Sequence, residues 1–341
     1  MTDSVPFVRR TLYPRGPLRC ALLDTSVLTT DIIAATRRAD PSSFVAGARE
    51  GTVRHLIPVH VGQEVPRVLA DRHREGGSFD LDRALELWRE RYAPLLYVVD
   101  TAGLPMTQEA EALAARDVSD VPMLLLAGVI APVVIIGTDK DLIASGLADG
   151  EWRELRAALG DVGVTEGRMI DLEQQAGAVL NVTGRAVRKV LTPKEPRQIA
   201  ITLAVVAAVA GGVYLWGRRV PAPSVPASVP PSGPAQKGLG LVSLVSRRMS
   251  AHQLRHTRGE DRWREAERGI PGDSLLHQVA RVVVSSRQPV TRTAIVERLG
   301  DAVPGEGHTE RMAAVRDVLE GHAMFVDATG RGRWQVGRLG G

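Results

Sequence analysis

The first half of the chain alternates between two spacings of apolar residues. Residues 18–38, LRCALLDTSVLTTDIIAATRR, begin as a continuous apolar run and then place apolar positions at helical intervals, which predicts a strand feeding a helix. The same change recurs from His55 onward in HLIPVHVGQEVPRVLADRHRE, with Glu64 expected in the first turn of the second helix. FDLDRALELWRERYAPLLYVVD predicts a helix and a short strand ending at Asp100. The stretch from Thr107 to Leu142 predicts a helix, a loop holding Asp117 and Asp120, an apolar helix, and a buried strand from Val133 to Gly137. This alternation predicts an α/β/α sandwich with a mainly parallel central sheet over 17–192.

The pattern then changes twice. Residues 199–217 are 19 consecutive uncharged, mostly apolar positions, bracketed by Arg197 and Arg218, with Tyr214 and Trp216 near one margin. That length reaches the lower part of the range for a bilayer-spanning helix, and the aromatics sit where an interface would be. Residues 218–270 begin with a Pro-, Ser- and Ala-rich stretch that reads as an extended tether and continue as an Arg-rich, polar segment that reads as a solvated helix or a loose arm. From 271 to 341 three helical segments precede two short strand patterns around TGRG, the order of a small winged helix-turn-helix α+β domain.

Composition narrows the picture only a little. Lysine and arginine number 43 against 39 acids, and aromatics make up 4% of the chain, so charge alone selects no partner. Cys20 is the single cysteine, which excludes an internal disulfide and a thiolate zinc site, and its apolar neighbours suggest core. The polar N-terminus lacks a secretory signal pattern. His55, His60 and His73 have neither thiol partners nor an HExxH spacing and read as core or surface residues.

The acids carry more information. Asp24 closes the first apolar run, Glu64 follows the second, Asp120 opens the apolar helix, and Asp139 with Asp141 ends the last strand. In a parallel sheet such strand ends converge on one edge, so these carboxylates can share a pocket. Magnesium and manganese take hard oxygen ligands and keep an open side for a water, whose pKa they lower. Taken singly, Asp24, Asp117 and Asp120 read equally well as helix caps; the four together favour a metal site built from Asp24, Glu64, Asp120 and Asp139.

Four segments, LLDTSVL at 22–28, EVPRVL at 64–69, DVSDVPMLLLA at 117–127 and GTDKDL at 137–142, together resemble the PIN-domain ribonucleases over about residues 17–192. The resemblance implies metal-dependent hydrolysis of RNA phosphodiesters, with Asp24, Glu64, Asp120 and Asp139 binding Mg²⁺ or Mn²⁺ and Asp141 as an auxiliary ligand. Thr25, Ser26, Asp117 and Thr138 fall at supporting positions. Pro66, just after Glu64, departs from the pattern, as does the lack of an aromatic after Asp141. The resemblance leaves room for a homo-oligomer and for an inhibitory protein partner.

The C-terminal module resembles winged-helix domains, in which a third helix reads the major groove. Arg311 and Arg316 on that helix and Arg331 and Arg333 on the wing are the corresponding candidates for nucleic-acid contact, against a competing role in binding protein. Basic residues before 199 outnumber those after 217, so the positive-inside rule keeps the first domain cytoplasmic and sends the C-terminal module outside, where it has no nucleic acid to read; either that module binds something else, the helix packs without crossing, or the rule fails here. Two further readings remain: a noncatalytic membrane scaffold that binds RNA or a partner, and a DNA-binding regulator acting through the winged helix.

Overall fold

The computed structural model describes residues 18–38, 42–163, 165–166 and 254–340. Five parallel strands, β1 (Arg19–Leu23), β2 (Val53–Pro58), β3 (Leu96–Val99), β4 (Val134–Ile136) and β5 (Ala148–Asp149), lie in the order β5-β4-β1-β2-β3. Helices α1 (Thr25–Ala35) and α2 (Ser43–Arg49) connect β1 to β2, and α3 (Val59–Arg74) with α4 (Leu81–Leu87) connect β2 to β3. After β3 the chain doubles back past β2 and β1 to form β4, through α5 (Gln108–Ala114) and α6 (Val121–Ile130). The connections run in opposite directions from β1, and this mainly parallel sheet with its helical connections is compatible with the expected α/β sandwich. Helix α7 (Lys140–Ala144) follows β4, and a helix at 152–163, α8, follows β5.

Two local features differ from the expectations. Helix α3 starts at Val59, directly after β2, so Glu64 lies in its second turn rather than its first and Pro66 is inside the helix. After α4 the chain widens into a π-turn at Trp88–Tyr92, which carries the Tyr92 hydroxyl to Asp31 at 2.6 Å; Arg156 on α8 approaches the same buried carboxylate at 2.6 Å.

The larger correction concerns the C-terminal third. The polar segment expected as a solvated helix or loose arm does form a helix at 254–266, α9, but it is docked rather than solvated, with Trp263 and Ala266 buried. Its Arg262 pairs with Asp149 at 3.1 Å, its Glu260 with Arg19 at 2.5 Å, and the following Arg268 exchanges backbone hydrogen bonds with Val133. Next come α10 (Leu275–Ser285), α11 (Arg292–Leu299) and α12 (His308–Gly321), with a small antiparallel sheet of β6 (Val290–Thr291), β8 (Arg333–Val336) and β7 (Phe325–Asp327). The last strand, β9 (Arg338–Leu339), leaves this sheet and pairs antiparallel with β3 as the sixth strand of the main one. Gly337 makes that possible, with φ of 67° and a Cβ position only 2.6 Å from the Val98 carbonyl oxygen.

Residues 16–166 and 253–341 thus belong to one compact unit. Helix α6 explains why. It is apolar on all sides, and α10 covers the side that the sheet leaves open. Arg54, buried in β2, donates to the carbonyls of Val283, Val284 and Ser286 at 3.3, 2.9 and 2.8 Å, satisfying the C-terminal end of α10.

The two described modules share a core and a sheet, which favours the alternatives in which they are not separated by a bilayer. Residues 199–217 lie outside the described residues, among which no helix is long and apolar enough to cross a membrane.

Arg54→Met strips three helix-end carbonyls of their donor inside the shared interior. It is expected to lower the unfolding free energy by about 2–4 kcal/mol in denaturant melts. A loss below about 0.5 kcal/mol, the range of ordinary surface substitutions, would contradict this account of the docking.

Candidate metal and phosphodiester site

The crossovers reverse direction between β1 and β4, and the crevice beyond the strand ends at such a point is where α/β sheets bind ligands. Asp24 sits at this point. Its backbone N–H donates to the Ile136 carbonyl at 3.0 Å, tying the end of β1 to the end of β4. Its side chain caps α1, accepting from the Ser26 amide at 3.1 Å and from the Ser26 hydroxyl. The neighbouring backbone is Gly137, where a Cβ would come within 3.2 Å of the Asp24 Cβ. Burial pushes the Asp24 carboxyl above its usual range; hydrogen bonds from Ser26 oppose the shift, and the charge of Asp139 adds to it.

Thr25 Oγ1 donates to Glu64 Oε2 at 2.9 Å, joining α1 to α3, and the Thr138 amide donates to Ser26 Oγ at 3.1 Å. Asp139 caps α7 through one oxygen, which accepts from the Asp141 and Leu142 amides at 2.7 and 3.2 Å. Asp141 pairs with Arg116 at 3.4 Å, and Glu64 with Arg67 at 3.4 Å. Asp117 takes its bonds from Ser119 at the exposed loop and has its carboxyl held low by them.

Asp120 is different. It occupies the N-cap position of α6 but makes no capping bond, and it is half-buried. Its carboxyl is pushed up to about 7, first by burial and then by the charges of Asp24, Asp139, Asp117 and Glu64. The simple helix-cap reading therefore holds for Asp24 and fails for Asp120, while Asp139 is a cap not expected from the sequence. His60, expected to be a core or surface residue, also belongs to this neighbourhood. Burial lowers its pKa, while Glu64, one turn along the same helix, and Asp24 pull it back up. Its four-residue spacing to Glu64 was the available signal. His55, by contrast, is core: Nε2 meets the Phe44 carbonyl at 3.1 Å and burial lowers its pKa to about 4.

The donors fit a hard divalent cation in type and in charge, since a cation would relieve the repulsion that Asp120 registers. Among the described residues, however, no three His, Cys, Asp or Glu side chains come close enough together to hold one ion. The five acids share an electrostatic neighbourhood without forming a closed coordination shell.

The arginines proposed for nucleic-acid contact on the C-terminal module divide into two groups. Arg311 is tied to the Gly305 and Gly300 carbonyls and to Asp301, at 3.1, 3.3 and 3.0 Å, and so braces the turn before its own helix. Arg316 is paired with Asp317 at 2.8 Å. Arg331 and Arg333 are exposed on the wing. The α12 surface also carries Glu310, Asp317 and Glu320, an acidic surplus of one over its two arginines.

Comparison with protein-family models, with curated proteins and with solved structures returns no match for this chain.

The raised Asp120 pKa has a measurable consequence in the metal-free protein. A folded-state pKa of about 7, against about 4 for unfolded Asp, means that the folded form holds the proton between those values. Asp120 therefore favours folding at low pH, and this contribution is lost as pH rises from about 4 to about 7. With chelator present, Asp120→Asn is expected to raise the melting temperature at pH 8 and to flatten its decline between pH 5 and 8. A variant that melts lower than the parent at pH 8 would contradict the crowding.

Proposed function

We propose that the chain is a metal-dependent ribonuclease that hydrolyses RNA phosphodiesters at the edge formed by Asp24, Glu64, Asp120 and Asp139. The observation that carries this reading is Asp120: a half-buried acid with no side-chain capping bond, its pKa raised first by burial and then by four other carboxylates at the sheet's switch point. Such an arrangement is costly in a resting protein and useful to one that recruits a cation.

In this reading Asp24 and Asp139 are the fixed ligands, since each is locked by its own helix cap. Glu64 is oriented by Thr25. Asp120, without a side-chain capping bond, moves to complete the shell. A bound Mg²⁺ or Mn²⁺ supplies a water of lowered pKa and offsets charge on the leaving oxygen. The protein's own residues orient the carboxylates: Ser26 bonds Asp24 and accepts from the Thr138 amide, and Thr25 bonds Glu64. Anchoring through 199–217 remains part of the proposal only in a form that keeps both described modules on the side of the acids.

A second reading, a DNA-binding regulator, has less support, because Arg311 and Arg316 are engaged within the module and the C-terminal module is used to cover α6.

Incubation of the purified protein with an RNA pool and Mn²⁺ is expected to yield cleavage that chelator abolishes. Asp24→Asn and Asp139→Asn should each reduce the rate by about a hundredfold or more, the scale of losing a group that stabilises transition-state charge. Equal rates for parent and variants would assign the cleavage to a contaminant and remove the enzymatic reading, leaving a noncatalytic scaffold.

A further inference from the structure

The acidic edge has a built-in counterion at each side. Strand order β4-β1-β2 puts Asp24 in the middle, Glu64 beyond β2 on one side, and Asp139 with Asp141 beyond β4 on the other. The outer acids are the ones that hold arginines. Arg67 reaches Glu64 from one turn along α3, and Arg116 reaches Asp141 from the end of α5, spanning the crevice between the loop of Asp117 and Asp120 and helix α7. The two acids therefore straddle Asp24 by about two strand spacings, on the order of 10 Å.

Both pairs have the geometry of interactions that exchange easily. Each N···O distance is 3.4 Å, longer than a strong charge-assisted bond, and each is single rather than forked. The side chains are 69% and 29% exposed for Arg67 and Glu64, and 47% and 43% for Arg116 and Asp141, so water competes for every partner. Buried arginines elsewhere in the molecule behave otherwise: Arg54 makes three bonds to backbone and Arg19 two to carboxylates. The arginines beside the acids are loosely held, and the structural ones are not.

We propose that Arg67 and Arg116 are the substrate-positioning residues of this site, each binding an RNA phosphate that flanks the scissile one. This rests on the ribonuclease reading. In the resting protein each guanidinium neutralises an outer carboxylate. When a divalent cation takes over those carboxylates, both guanidiniums are released to the backbone, so metal and RNA favour each other's binding. A guanidinium suits the task because the same planar donor face serves carboxylate and phosphate.

The test is equilibrium binding of a fluorescent 12-nucleotide oligouridylate by anisotropy, in Ca²⁺ as an oxygen-binding divalent cation and with the oligonucleotide checked to be intact, across a series of salt concentrations. The double variant Arg67→Ala/Arg116→Ala is expected to bind about tenfold more weakly. Its plot of log affinity against log salt should be shallower by about 1.4, or 0.7 for each single-strand phosphate that is no longer neutralised. Arg67→Lys/Arg116→Lys should restore the slope, and neither double variant should shift the melting temperature, since both pairs are exposed. An unchanged slope in the alanine variant, or a parent protein that binds no oligouridylate, would overturn the assignment. Mn²⁺-dependent cleavage that survives either result would leave the ribonuclease reading standing, and loss of cleavage activity would not affect the binding measurement.

Discussion

One hydrogen bond fixes the place where everything else happens: the Asp24 amide to the Ile136 carbonyl, at 3.0 Å, between the ends of β1 and β4. It joins the two strands at which the crossovers change direction, so no helix can cover the crevice above it. Side chains at the ends of β1, β2 and β4 and at the start of α6 all border that gap. Gly137 lets the backbone lie against Asp24, and Ser26 bridges Asp24 to the Thr138 amide. The rigid part of the site is thus stitched to the sheet, while Asp120, with no side-chain capping bond, is the adaptable part.

The sheet that supports this edge is not complete in the first 166 residues. Its β3 edge is closed by β9, its apolar α6 by α10, and its β5 side by α9 through Arg262 and Trp263. An α6 left without α10 would expose a helix apolar on every face, and an uncovered β3 would present open backbone groups for aggregation. The C-terminal module is therefore a structural half of the unit that carries the acids. This also accounts for the use of Arg311 and the acidic face of α12, which serve the module's own turn and surface.

Much of this was legible in the sequence, and what was missed follows from physics that periodicity does not record. Continuous apolar runs identified β1, β2 and β4, and the acids at their ends identified the edge, because both signals are local. The early start of α3 was hidden because Pro58, Val59 and Gly62 look like a loop before Glu64, whereas Pro58 only occupies the N-cap position, without a side-chain bond, and the helix begins at once. The π-turn at Trp88–Tyr92 arises from a tertiary bond, Tyr92 to Asp31, between residues 61 positions apart. Strand β9 is two residues long and bears no pattern at all; it exists because β3 needs a partner and Gly337 permits the approach. Helix α6 did carry the clue to the docked module, since an all-round apolar helix requires a cover on both sides.

The same accounting bears on the acids. Burying Asp24 and crowding Asp120 both oppose folding at neutral pH, as their raised pKa values show. Neutral amides at these positions would keep the α1 cap at Asp24 and remove the repulsion at Asp120, so the stability of the scaffold alone favours Asn over Asp. Carboxylates make physical sense here only with an external positive charge to complete them. The two arginines at the margins supply part of that charge through weak, exposed pairs to Glu64 and Asp141. They do not reach the central pair, and the repulsion left at Asp120 is the share that a cation remains to offset.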